Sequence, residues 1–153
     1  MSFTLGIISD THGLLRTEAV QTLEKCNAII HAGDIGSEEI LTALKAMAPT
    51  YAVRGNVDWE PWAMKIPVND VVEIAGHFFY ILHVLDNIDL EPAAAGIDVV
   101  ISGHSHQPNL FKKNNVLYMN PGSAGPGRLG KPVSMGKIMI NDQGLFYEFI
   151  DLS

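Results

Sequence analysis

Residues 5–13 read Leu5-Gly6-Ile7-Ile8-Ser9-Asp10-Thr11-His12-Gly13. A short apolar run gives way abruptly to polar residues and a glycine, the pattern of a buried strand that ends in a loop. The same punctuation returns twice. Ala28-Ile29-Ile30 runs into His31-Ala32-Gly33-Asp34, and Tyr51-Ala52-Val53 runs into Arg54-Gly55-Asn56-Val57-Asp58. After the first loop, Thr17 to Cys26 places Val20, Leu23 and Cys26 on one face at helical period. After the second, Ser37 stands as an N-cap with Glu38 and Glu39 in the first turn, and Ile40, Leu41, Leu44 and Met47 form an inner stripe before Pro49. Three strand-then-helix cycles predict a parallel sheet with right-handed crossovers.

The second half has a different rhythm. Val71 to Ile74, Phe78 to Leu82, Val99 to Ile101, Val116 to Met119, Gly136 to Ile140 and Leu145 to Ile150 are strand-like. Ala75-Gly76, Asn114-Asn115 and Asp142-Gln143-Gly144 supply hairpin turns, and Asp89 to Ala95 is expected to hold one more short helix. Asn120 to Gly127 is dense in Gly and Pro and is expected to be a long, mobile loop. A parallel half and a more antiparallel half would then share one core as two packed sheets flanked by helices, an α/β architecture.

The chain has 153 residues, 47% of them hydrophobic, which predicts one domain over 1–153. Lys and Arg number 10 against 17 Asp and Glu, a net charge of -7, so no basic face is available for non-specific nucleic-acid binding. The single cysteine, Cys26, cannot form an internal disulfide, and the first residues lack a basic, long apolar leader. The expected compartment is the cytoplasm. No apolar run approaches the ~20 residues of a membrane span.

The side chains able to hold a metal fall at the strand ends. Asp10 and His12 follow the first strand, Asp34 the second, and Asn56 and Asp58 the third. His83 closes the Phe78 to Leu82 strand, and His104 and His106 follow Val99 to Ile101. The carboxyl edge of an open α/β sheet is where ligands bind, so loops distant in sequence would converge there. Four histidines, Asp10, Asp34 and Asn56 exceed the roughly three protein ligands of a mononuclear catalytic site and suit two ions with a bridging carboxylate. Imidazole mixed with carboxylate, without thiolate, favours Mn, Fe, Zn or Ni over Ca.

These blocks resemble a known family. Asp10-Thr11-His12, Gly33-Asp34, Gly55-Asn56-Val57-Asp58, His83 and Gly103-His104-Ser105-His106 follow in order the D-x-H, G-D, G-N, H and G-H-x-H blocks of the calcineurin-like metallophosphoesterases. The length is similar to that of the small, single-domain phosphodiesterases of YfcE type. Asn120-Pro121-Gly122-Ser123 also resembles a turn of that subgroup. The resemblance implies a four-layer α-β-β-α sandwich of two mixed sheets flanked by helices. It implies that Asp10, His12 and His106 hold one divalent ion, that Asn56, His83 and His104 hold the second, and that Asp34 bridges them. It further implies a phosphoesterase, foremost a phosphodiesterase, whose bridging hydroxide attacks phosphorus in line. Manganese is the first expected metal, with Fe, Zn, Ni and Mg as alternatives, and a small phosphoester is the expected substrate. Asn56 and Asp58 are the residues assigned to the chemistry. Asn56 would coordinate through its amide oxygen without adding negative charge, and Asp58 is placed to orient a histidine or a water.

Two positions depart from the family pattern. Val57 stands where many members have a histidine proposed to protonate the leaving group, so phenolate-like leaving groups would react best. Val84 follows His83 where His-Gly is common, which restricts the loop. They leave open a second reading, a catalytically weak metal-binding scaffold like the retromer subunit of that fold. Trp59-Pro61-Trp62 offers a wall for substrate, simple packing or a contact in a homo-oligomer. Arg128 and Lys131 are either phosphate grips or solvated charges, and His31 reads as a buried, hydrogen-bonded strand-end imidazole.

Overall fold

A computed structural model describes residues 2–153. Two five-stranded sheets carry the fold. The first has the strand order β10-β9-β1-β2-β3 and the second β4-β5-β6-β8-β7. In the first, β1 (Phe3–Ile8), β2 (Ala28–His31) and β3 (Thr50–Ala52) are parallel, and β9 (Ser134–Asn141) with β10 (Gly144–Asp151) adds an antiparallel hairpin beside β1. In the second, β5 (His77–Leu82), β6 (Val99–Ile101) and β8 (Val116–Asn120) are parallel, while β4 (Asn69–Ile74) and β7 (Asn109–Lys113) are antiparallel edges. Parallel and antiparallel pairing therefore mix within each sheet and are not divided between the halves of the chain.

Strand alternation builds the inter-sheet core. Leu5, Ile7 and Ile30 of one sheet meet Phe79, Ile81, Ile101 and Met119 of the other, all essentially excluded from water. Each such side chain contributes about 1.5–3 kcal/mol on burial. A second core lies between the first sheet and helices α1 (Thr17–Leu23) and α2 (Glu38–Met47), through Leu23, Ile29, Ile40, Leu41 and Leu44. The close seating of α1 on β1 depends on Gly6, where a Cβ would meet Leu23 Cδ2 at 2.5 Å.

Several boundaries differ from expectation. Helix α1 stops at Leu23, and Cys26 is reached through a turn. The third cycle has no α-helix. A 3-10 turn at Pro61–Lys65 follows it and stops at Ile66, which precedes Pro67 and is extended with ψ 131°. Asp89 to Ala95 is likewise not a helix but a turn ending at Gly96, with a 3-10 turn at Leu85–Asn87 before it. The outer layer on the second sheet is thus made of turns, which still cover Tyr80, Leu82 and Val100. Strand β7 was not expected. Its residues are mostly exposed on an edge, so it carries no clean apolar alternation. No helix among the described residues is long and apolar enough to cross a membrane.

Candidate metal centre

The carboxyl ends of β1, β2, β3, β5 and β6 face one another, and backbone hydrogen bonds lock their loops together. Asp10 N–H donates to Gly33 O at 2.9 Å, His12 N–H to Asp34 O at 3.0 Å and Gly103 N–H to His83 O at 3.0 Å. Five expected ligands occupy the left-handed region, with φ of 56° at Asp10, 47° at His12, 56° at Asp34, 75° at His104 and 62° at His106. Each such residue costs of order 1–3 kcal/mol and persists only where its surroundings over-determine it. Two glycines make the close approach possible. A Cβ on Gly55 would lie 2.1 Å from Asp34 Oδ1, and one on Gly103 would lie 2.1 Å from Ser9 Oγ and 2.8 Å from Asp10 Oδ2.

The two buried carboxylates are arranged alike. Asp34 Oδ1 accepts from Val57 N–H at 3.1 Å, leaving Oδ2 at 3.1 Å from His83 Nε2 and 3.6 Å from His12 Nε2. Asp10 Oδ2 accepts from the Ser9 hydroxyl at 2.7 Å and from His104 N–H at 3.1 Å. Its Oδ1 lies 3.4 Å from His106 Nε2, 3.7 Å from His83 Nε2 and 3.8 Å from His12 Nε2. In each, one oxygen is fixed by the protein and the other faces imidazoles.

Those facing atoms do not satisfy one another. Among the described residues, Asp10 Oδ1, His12 Nε2 and His83 Nε2 are buried without a hydrogen-bond partner, as is His106 Nδ1, the ring nitrogen other than the one nearest Asp10, although each orphan costs about 1–3 kcal/mol. His83 Nδ1 lies 2.7 Å from Ala32 O, and a carbonyl only accepts, so Nδ1 carries the proton and a neutral His83 turns the Nε2 lone pair toward the two carboxylates. This donor set fits a cation. The ligand atoms form two groups, Asp10–His12–His106 and Asp10–Asp34–His83, each within 4.8 Å. Asp10 is the residue common to both, whereas the family resemblance gives the bridging role to Asp34.

Asn56 and His104 are more peripheral. Both are exposed; the His104 ring stands edge-on to His83 at 5.3 Å between centroids, and Asn56 lines a cavity with His83, Val84 and Arg54. Asp58 is buried, and its carboxylate accepts from three backbone groups: Ile35 N–H at 2.9 Å, Gly36 N–H at 3.0 Å and Gly55 N–H at 2.9 Å. It braces the second loop against the third. Among the described residues no histidine donates to it, and the partners it does orient are backbone amides.

Charge follows from this packing. Burial pushes the Asp10 carboxyl up, against the pull of His83 and His106. At Asp34 burial also acts upward, but His83, Val57 N–H and His12 outweigh it and the net direction is down. Burial opposes charge on His83, yet Asp34 and Asp10 prevail and raise it. His106 is lowered, first by burial and then by Arg128, His12 and Lys131, against Asp10. The loop bearing those two cations lies over the fifth block, with Lys131 Nζ donating to Ser105 O.

Several supporting residues escaped the sequence reading. Ser9 fixes Asp10, and Ser123 Oγ donates to Asp10 O at 3.1 Å. Asn120 Nδ2 donates to Gly103 O at 2.9 Å, and Arg16 Nε to Gly125 O at 3.0 Å, so the loop expected to be mobile is tied to the site. The resemblance of Asn120 to Ser123 to a family turn was the available signal for this loop. His31 is buried; Thr11 gives its own proton to Ile35 O, so His31 Nε2–H donates to Thr11 Oγ1 at 3.0 Å while Nδ1 accepts from Gly33 N–H at 3.1 Å.

A buried cluster of imidazoles and carboxylates at the strand tips of two facing sheets defines an α/β protein built to hold divalent metal. The model of the calcineurin-like phosphoesterase superfamily domain matches residues 3–143, and the chain belongs to that family. It is 35% identical over 146 residues to a probable metallophosphoesterase of Methanothermobacter thermautotrophicus, covering 86% of this chain and 83% of the other. It is 32% identical over 136 residues to a phosphodiesterase of Methanocaldococcus jannaschii, covering 77% and 82%. In fold it is similar to Vacuolar Protein Sorting 29 of Cryptosporidium parvum, with a TM-score of 0.77, 20% identity and coverage of 99% and 98%.

Proposed function

We propose that the chain is a metal-dependent phosphodiesterase. The observation that carries this reading is the set of orphaned buried atoms Asp10 Oδ1, His12 Nε2 and His83 Nε2, with His106 Nε2 3.4 Å from the same Asp10 oxygen. Asp10, His12 and His106 would hold one divalent ion and Asp34, His83, Asn56 and His104 the other, with Asp10 or Asp34 shared. When bound, the ion pair supplies an activated water and polarises the phosphoryl oxygens. Mn fits this oxygen and nitrogen donor set, as do Fe, Zn and Ni.

The chain's own residues do the positioning. Val57 N–H and Ser9 turn the carboxylates toward the imidazoles, Ala32 O fixes the His83 tautomer, and Asp58 ties the loops. Arg128 and Lys131 place positive charge beside His106, where an anionic phosphoester gains from it. Val57 offers no proton, and both Asp58 oxygens are engaged, so esters with good leaving groups turn over fastest. Purified protein given Mn2+ should hydrolyse bis(4-nitrophenyl) phosphate at neutral to alkaline pH, and Asp34→Asn should abolish this. Wild type inert with every metal of the Mn, Fe, Zn, Ni and Mg series would refute it.

A scaffold that has lost catalysis is the second reading. It is favoured by Trp59, 74% exposed in the loop that follows Asp58, and by the fold shared with Vacuolar Protein Sorting 29. Metal-independent capture of one protein partner without turnover would support it.

A further inference from the structure

Two cavities open beside the histidine cluster, and Val84 lies in the wall of both. The first, of about 230 Å3, reaches from His104 across the outer face of the second sheet to Phe111 and Tyr118, with Asp86 and Asn109 also lining it. Phe111 and Tyr118 are cross-strand partners on β7 and β8, stacked with centroids 4.6 Å apart and planes within 6°. Phe111 lines the cavity and remains 39% exposed, so apolar ring surface not covered by Tyr118 is available there. Asp86 is the one carboxylate in the lining, and no Lys or Arg joins it. The neighbouring cavity, of about 250 Å3, contains Arg54.

We propose that the Phe111–Tyr118 cavity seats an uncharged planar ring carried on one ester arm of the substrate, an aryl group or a nucleobase, so that it sets specificity. This rests on the reading of the histidine cluster as the phosphoryl site. The volume is below the ~300–1,000 Å3 of pockets for drug-sized ligands, which limits the occupant to one ring system. Stacking on an aromatic face is tolerant of ring identity. Asp86 repels a second anionic group, while it and Asn109 accept N–H donors from a heterocycle. Val84 lines both cavities and so stands at the boundary between the ring and whatever Arg54 attracts.

The test is calorimetric binding to the Mn2+-loaded protein, which needs no turnover. Wild type should bind phenylphosphonate roughly tenfold more tightly than methylphosphonate, the scale of one stacked ring. Phe111→Ala should reduce the preference to about twofold or less, and Phe111→Leu, which keeps apolar bulk, should reduce it similarly. Asp86→Asn should lessen the penalty of 4-carboxyphenylphosphonate relative to phenylphosphonate. Cytidine 5′-monophosphate compared with ribose 5-phosphate separates a nucleobase from a plain aryl group, and a Phe111-dependent preference for either ring supports the proposal. Equal binding of phenyl- and methylphosphonate by wild type, or a preference that survives both Phe111 variants, would overturn it. Binding of neither phosphonate would instead bring down the phosphoryl-site reading on which it stands.

Discussion

Asp10 Oδ1 and His83 Nε2 lie 3.7 Å apart, sealed from solvent, and neither has a hydrogen-bond partner among the described residues. Asp10 hangs from β1 of the first sheet and His83 from β5 of the second. Their meeting therefore reports the packing of the whole sandwich. A buried carboxylate facing an imidazole lone pair is unfavourable in an apolar core, and a shared cation removes that penalty.

The brace at Asp58 is open to direct measurement. Asp58→Ala strands three backbone donors at Ile35, Gly36 and Gly55. The expected loss is about 2–5 kcal/mol in urea denaturation of the metal-free protein, given about 1–3 kcal/mol for each unmet buried group and partial rescue by water. A variant within about 0.5 kcal/mol of wild type, the range of an ordinary surface change, would show that the brace carries little.

A Cβ at position 55 would lie 2.1 Å from Asp34 Oδ1 and 2.4 Å from Asp34 N, so Gly55→Ala should displace the Asp34 carboxylate from His83 without removing any ligand residue. Manganese affinity should fall by about 10–100-fold, the usual scale for a disturbed supporting shell. Unchanged affinity would mean that the loop yields freely.

Val57 is 41% exposed, so a larger polar side chain has room there. Val57→His should speed hydrolysis of esters with poor leaving groups by roughly 10²-fold or more, the low end of general-acid contributions. Its effect on 4-nitrophenyl esters should be small. The dependence of rate on leaving-group pKa, flatter in the variant than in wild type, is the readout.

His31 governs acid stability. Burial, followed by the neighbouring His83, holds its pKa at about 3 against an ordinary 6.5. The unfolded chain therefore takes up a proton first as pH falls. This contribution to stability is complete above 6.5 and drains away toward 3, at up to about 1.4 kcal/mol per pH unit. In metal-free protein His83 acts with the opposite sign, since its raised pKa gives stability that is present below 6.5 and is lost as pH rises. Ring 15N NMR should find His31 as the neutral Nε2–H tautomer down to pH 5 while His83 titrates above its usual value; an imidazolium at His31 at pH 6 would contradict this.

The parts legible from sequence were those with local signatures. Strands β1, β2, β5 and β6 are short apolar runs cut by polar blocks, and that punctuation also placed Asp10, Asp34, His83 and His106 where they stand. What escaped was set by partners distant along the chain. Val57 looked like the loss of an acid, yet its backbone N–H holds Asp34. Asp58 reads from sequence as a residue placed to orient a histidine or a water, while its hydrogen bonds to Ile35 and Gly36 of another loop have no local signal. The left-handed φ of Asp10 and His106 has only a weak residue-type signal, the modest enrichment of Asp and His at positive φ, and cannot be located without the tertiary contacts. Strand β7 was hidden for a related reason: it pairs only with β8 and is solvated along most of its length.

Manganese titration of chelator-stripped protein, followed by calorimetry and electron paramagnetic resonance, reaches the account most directly. Two ions should bind per chain and give the coupled spectrum of a metal pair. Asp10→Asn should weaken both, since Asp10 belongs to both groups of donors. Stoichiometric binding that is indifferent to Asp10 and Asp34, or no saturable binding at all, would contradict it.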